Sequence, residues 1–232
     1  MRRRVLGILI VILTLLVVWD IQSHSLVELD GYDIFRIMYY DVEEMARYGR
    51  SGFDFRLMMY NVFMMELTLL LMLGKWGELS GGFASFLSTR LKSSTKILCI
   101  YQKDLLRQNV FCTIFEVVQA GILLLFFSKG EWGSCSMADI LSILLFMAKR
   151  MACRQLISLW NALAFRGVRQ EWLLIGHLFL LAIFMNIDIQ WHVSLIAYKA
   201  YTYQLITIAL YGIVYILGFG FIGKWLIRKE LL

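Results

Sequence analysis

The sequence predicts an all-α, polytopic membrane protein of six transmembrane helices with both termini cytoplasmic. Three observations lead there. Sixty per cent of the 232 residues are hydrophobic, against roughly 45–50% in a soluble domain. The apolar residues fall into runs near the roughly 20 residues that a 30 Å bilayer core requires. The 23 Lys and Arg residues, which exceed the 17 acidic ones, cluster between alternate runs, as expected when basic loops stay on the cytoplasmic side.

The first run, Val5 to Trp19, follows Arg2, Arg3 and Arg4. That charge order suits a signal peptide or a first membrane helix, and the weak Ser23-His24-Ser25 site beyond it favours a retained helix. Asp20 to Arg56 is the one long polar segment and carries net negative charge. Within it Ile34, Ile37, Met38 and Met45 recur at helical spacing behind Asp33. This predicts an amphipathic helix lying on the membrane surface, capped by Asp33.

Further runs follow at Leu57 to Gly74, Gln108 to Phe127, Met137 to Ile157, Trp172 to Ile187 and Tyr203 to Trp225. The fourth is expected to continue as one helix to Phe165, its basic part near the inner membrane face. Trp19, Trp76, Trp132, Trp172, Trp191 and Trp225 stand near the proposed ends, where an indole meets both lipid and water. The chain contains no proline, so no helix need lose an internal N–H. Residues 1–232 thus read as a single transmembrane domain, with an outer polar segment 20–56 and a cytoplasmic segment 75–107.

The basic residues form short clusters instead of one stripe, which argues against a nucleic-acid partner. Cys99, Cys112, Cys135 and Cys153 show no metal-ligand spacing and read as packing residues. Leu79-Ser80-Gly81-Gly82-Phe83 resembles the signature loop of an ATP-binding cassette ATPase. The chain has no Gly-x-x-x-x-Gly-Lys-Ser/Thr phosphate loop, so a flexible turn is the simpler reading. Glu43-Glu44-Met45-Ala46-Arg47 resembles the paired glutamates of membrane-embedded proteases, with His177 and His192 as candidate partners, but its arginine falls one position early.

Ionisable residues at membrane depth are costly and must face protein or water. They are Glu66, Glu116, Lys149, Arg150 and Arg154. Glu116 and Arg150 reach comparable depth in the third and fourth spans, so a charge pair between them is expected. Its role is a polar lining or gate, an interhelical clamp, or side chains snorkelling to the inner surface. Gly212, Gly218, Gly220 and Gly223 allow close helix approach in the last span, within the bundle or between copies. Met58, Met59, Met64, Met65 and Met72 offer an adaptable apolar surface or ordinary helix packing.

The block Phe86-Leu-Ser-Thr-Arg90-Leu-Lys92-Ser-Ser-Thr-Lys96, running through Tyr101-Gln-Lys-Asp-Leu-Leu-Arg107, resembles the coupling region of type-2 ATP-binding cassette exporter permeases. Within that family the chain is similar to the small bacterial permeases of peptide or bacteriocin export and immunity systems. The resemblance implies a non-catalytic subunit in the bacterial plasma membrane, with a cytosolic ATPase and a second permease copy or paralogue as partners. It also implies that ATP and magnesium are bound by the ATPase, leaving no cofactor or metal in this chain. Phe83, Phe86 and Leu87 would then fill a groove on the ATPase, and Arg90, Lys92 and Lys96 would meet acidic groups or lipid phosphates. The other readings are an integral membrane peptidase or lipid-processing enzyme, and a non-transporting anchor or sensor.

Overall fold

The computed structural model describes residues 2–24, 29–49, 54–78, 94–127, 136–160, 169–191, 193–199 and 201–230. Every regular element among them is helical. In chain order these are α1 (Arg2–Ser23), α2 (Gly31–Met38), α3 (Val42–Arg47), α4 (Phe55–Glu78), α5 (Ser94–Phe127), α6 (Met137–Ser158), α7 (Gln170–Trp191) and α8 (Tyr201–Glu230). Six of them are long, and each contains one of the six apolar runs. In the bundle α6 packs against α8 and α5, α4 against α7, and α1 against α4 and α5.

The exterior is apolar, and polar groups are buried alongside an apolar core. On α8, Ile206, Ile213, Ile216 and Phe221 are 57–70% exposed. On α5, Phe111 and Ile114 face outward, while Gln102, Asn109, Thr113, Glu116 and Gln119 of the same helix are buried. A soluble monomer seldom exposes an apolar surface of this extent. Among the described residues, two helices hold segments long and apolar enough to cross a membrane, Glu171–Trp191 in α7 and Thr202–Ile222 in α8, and α1 holds the shorter apolar stretch Ile10–Ser23. That is fewer than the six spans hydropathy predicts. In α4, α5 and α6 the charged and amide residues of the inward face interrupt the apolar pattern.

α6 starts at a capping box: Ser136 Oγ accepts from Asp139 N, and Asp139 Oδ2 accepts from Ser136 N. These bonds satisfy two otherwise orphaned donors. Its α-helical bonding ends at Ser158, short of the expected Phe165, and Leu159 and Trp160 tighten into a 3₁₀ turn. Residues 161–168 lie outside the described residues.

The outer segment holds the main departure from expectation. Asp30, not Asp33, caps α2, its carboxylate accepting from Asp33 N at 2.8 Å. Ile34, Phe35, Ile37 and Met38 are buried, and α2 packs on α1 and α5 instead of lying on a membrane surface. The same amphipathic spacing serves a lipid surface or a protein surface equally well. The protein surface wins because α2 is also tied down by polar bonds. Asn61 Nδ2 of α4 donates to Met38 O at 2.9 Å, and Tyr198 N donates to Tyr39 O at 2.9 Å.

The turn between α2 and α3 is a Schellman motif, with Tyr40 N donating to Ile37 O and Asp41 N to Arg36 O. Its left-handed position, usually glycine, is Tyr40 at φ 66°. Complete burial and a bond from Asp54 N to its hydroxyl hold Tyr40 there. α3 ends on Gly49 at φ 71°, where glycine carries no such strain. Phe35 and Tyr39 pack with Phe146 of α6 and with Tyr198 in an aromatic cluster. Together α2 and α3 form a plug seated in one end of the bundle.

Asn61→Leu would leave Met38 O without that donor and remove a partner of Arg150. We expect it to destabilise the protein by about 1–3 kcal/mol, the cost of orphaning buried polar groups. Thermal unfolding in mild detergent measures this, and a neutral result would contradict the seating described for the plug.

Candidate functional site: a buried charge centre beneath the plug

On α6, residues Ser142, Phe146, Arg150 and Arg154 recur every four positions and so share one face. On α5, Gln102, Asn109, Thr113 and Glu116 form a facing polar stripe at spacings of seven, four and three. Where the stripes meet, Glu116 bridges both arginines. Arg150 Nη2 lies 2.7 Å from its Oε1, and Arg154 Nη1 lies 2.9 Å from its Oε2. Both guanidiniums are fully buried. The contact expected between Glu116 and Arg150 from depth alone is therefore present, with Arg154 as a second partner.

The remaining bonds anchor the centre to neighbouring helices. Arg150 Nη1 donates to Asn61 Oδ1 at 3.0 Å, and Arg154 Nη2 donates to Thr113 Oγ1 at 2.5 Å. The Arg150 guanidinium lies over the rings of Tyr39 and Phe146, 4.9 and 5.7 Å from their centroids. An arginine over an aromatic face gains cation–π attraction that strengthens as water is removed. The plug thus touches the charge centre directly through Tyr39.

From Arg154 a chain of amides runs toward the N-terminus of α5 and the C-terminus of α6. Asn109 Nδ2 donates to Met151 O at 2.8 Å, and Gln155 Nε2 donates to Gln102 Oε1 at 2.8 Å. Tyr215 of α8 adds its hydroxyl to Gln102 at 3.2 Å. Glu116 and Gln102 are 14 positions apart on one helix, so this track is about 21 Å long. It leads from the N-terminal part of α5 to the charge centre and stops at the plug.

Lys149 takes another direction. Its ammonium donates to Ser194 Oγ at 2.7 Å and to Ala197 O at 2.5 Å. Asp188, in the last turn of α7, accepts from the backbone N–H groups of Leu195, Ile196 and Ala197. The two side chains together satisfy the 194–197 turn, which in turn donates through Tyr198 N to the plug. The basic part of the fourth helix therefore does not snorkel out to a surface. Lys149, Arg150 and Arg154 are all buried, because Glu116 and the outer turn offer partners inside the bundle.

On the plug's outer side Arg36 joins Asp41 at 2.7 Å and Glu44 at 2.5 Å. Arg47 also reaches Glu44, at 3.0 Å. Burial pushes the Glu44 carboxyl up despite the opposing pull of Arg36. Tyr48 donates to Asp33 and Tyr32 bonds Tyr198 hydroxyl to hydroxyl, each at 2.7 Å. Of the paired glutamates singled out in the sequence, Glu44 thus belongs to a clip that holds α2 against α3, whereas Glu43 is exposed.

A second buried pair joins α4 to α7. His177 Nδ1 stands 3.5 Å from Glu66 Oε1, and both residues are buried. Of the residues singled out for ATPase coupling, Phe83, Phe86, Leu87, Arg90 and Lys92 lie outside the described residues, as does His192. Lys96 is exposed on the first turn of α5. Cys153 is buried as a packing residue should be, whereas Cys99 is exposed.

Asp188, Asn109, Gln102 and Gln155 escape the sequence reading. The helical recurrence of polar residues on the inward stripe of α5 is the signal that would have found Gln102 and Asn109. Hydropathy ends the fifth run at Ile187, one residue before the carboxylate that binds the 194–197 turn. No protein-family model, curated protein or solved structure matches this chain.

A double-mutant cycle over Glu116→Gln and Arg150→Gln tests the centre as a unit. Breaking a buried pair from one side costs about 3–5 kcal/mol, so the combined loss of unfolding free energy should fall well short of the sum of the single losses. Additive effects would argue that the two side chains act separately.

Proposed function

We propose that this chain is the permease subunit of an ATP-binding cassette exporter that moves a peptide or other amphipathic substrate outward, powered by a separate ATPase. In this reading α1 and α4 to α8 are the six spans of a multi-pass cell-membrane protein with both termini inside. A second copy or a paralogous permease completes the membrane part.

The polar track carries the reading. An apolar exterior encloses buried amides and charges that lead from the inner side to a centre closed outwardly by a plug, an arrangement suited to alternating access. A bundle needing only mechanical anchorage has no use for such a costly interior. The length of α5 adds support. Its 34 residues extend about 51 Å, roughly 20 Å more than the bilayer core. The excess holds exposed Lys96, Lys103, Asp104 and Arg107 on the basic side. A rigid helix that continues from a cytoplasmic docking site into the charge centre would transmit the ATPase's movement to Glu116.

Copurification from the native membrane under gentle conditions tests this assignment. An ATPase should accompany the wild type and be lost when Arg90, Lys92 and Lys96 are all changed to Glu. Recovery of the wild type without an ATPase would overturn it.

A further inference from the structure

We propose that the Arg150–Arg154 centre is a binding site for the anionic group, carboxylate or phosphate, of an amphipathic ligand, and that Glu116 occupies this site in the closed state. The permease reading supplies the side from which the ligand arrives; binding itself does not depend on it.

Charge balance is the first ground. Lys149 and Asp188 serve the outer 194–197 turn together, leaving two guanidiniums at the centre against the single carboxylate of Glu116. Each guanidinium thus also leans on a neutral oxygen, Asn61 Oδ1 for Arg150 and Thr113 Oγ1 for Arg154. Hydrogen bonds to an ionised acceptor are stronger than those to a neutral one, so an arriving anion offers these arginines a better partner than an amide or hydroxyl oxygen.

Unused bonding capacity is the second ground. Arg150 Nε is fully buried and has no hydrogen-bond partner, and the same holds for Asn109 Oδ1 and Gln102 Nε2 along the track. Two arginines on successive turns of one helix present planar forks, the geometry that grips carboxylate and phosphate oxygens through paired bonds. A third ground is the neighbourhood. Tyr39 and Phe146 lie against Arg150, and Met38 and Met147 are buried nearby in the same apolar core. An acyl chain or an apolar side chain attached to the anion would find suitable surroundings once α2 withdraws.

The closed state holds Glu116 where the ligand's anion would sit. Ligand and Glu116 thus compete for the arginines, and removal of the internal competitor should strengthen binding. A purely structural ion triad would show the opposite, since Glu116→Gln would merely weaken the fold.

The test uses the full chain in zwitterionic phosphatidylcholine nanodiscs, titrated with decyl phosphate, decanoate or uncharged decanol while the unfolding temperature is followed. A ligand that binds only the folded state raises that temperature in proportion to its occupancy. We expect at least one anion to stabilise the wild type beyond decanol. Its half-saturating concentration should fall about tenfold in Glu116→Gln and rise about tenfold in Arg154→Gln. Stabilisation by decyl phosphate alone identifies a phosphate ligand, by decanoate alone a carboxylate, and by both a site that reads charge.

The proposal is overturned if neither anion exceeds decanol on the wild type, a comparison that needs no variant to fold. It is equally overturned if Glu116→Gln folds and binds the anion no better. Neither result bears on ATPase copurification, so failure of this site and failure of the permease assignment are distinguishable.

Discussion

Two arginines sharing one carboxylate at the centre of the bundle set the terms for everything around them. Charges in apolar surroundings persist only when neighbours satisfy them. Arg150 and Arg154 therefore dictate that α5 turns its Glu116 and Thr113 inward. They also dictate that α4 contributes Asn61. Once those residues point inward, helical geometry sends Phe111, Ile114 and Val118 outward. The apolar exterior is thus the geometric complement of the ionic centre.

The plug depends on the same centre. Tyr39 closes over Arg150 from α2, and Asn61 bonds both Arg150 and the α2 carbonyl of Met38. A change in how Arg150 is held is felt by the plug through one intervening side chain. Strain at Tyr40, fixed in the left-handed region at the α2–α3 turn, adds a position from which a seated and an unseated plug would differ. Non-glycine residues held at such angles cost about 1–3 kcal/mol and persist only where their surroundings enforce them. Here the enforcing contacts are those that seat the plug.

How much of this was legible in the sequence varied with the range of the interaction. Each long helix follows from an apolar run, and the Glu116 and Arg150 contact follows from counting turns along two adjacent spans. The pairing of Glu66 with His177 needs knowledge of which helix face meets which, and 110 intervening residues carry no such signal. The outer segment failed for a different reason. Ile34, Ile37 and Met38 announce a helix with one apolar side, but the pattern is silent on whether lipid or protein covers it. The covering is decided by Phe146 and Tyr198, far along the chain. The length of α5 was obscured because Lys103, Asp104 and Arg107 look like a loop in a hydropathy profile, although a helix that continues past its apolar stretch needs no apolar pattern there.

The central claim is that ions lie inside and lipid outside, and spin-label accessibility tests it most directly. Phe111→Cys and Ile213→Cys, each in a cysteine-free background and labelled in lipid bilayers, should collide with oxygen far more often than with a water-soluble nickel chelate. Lys96→Cys serves as the aqueous reference. If the nickel chelate reached positions 111 and 213 as readily as position 96, the apolar exterior would be facing water and the account would be contradicted.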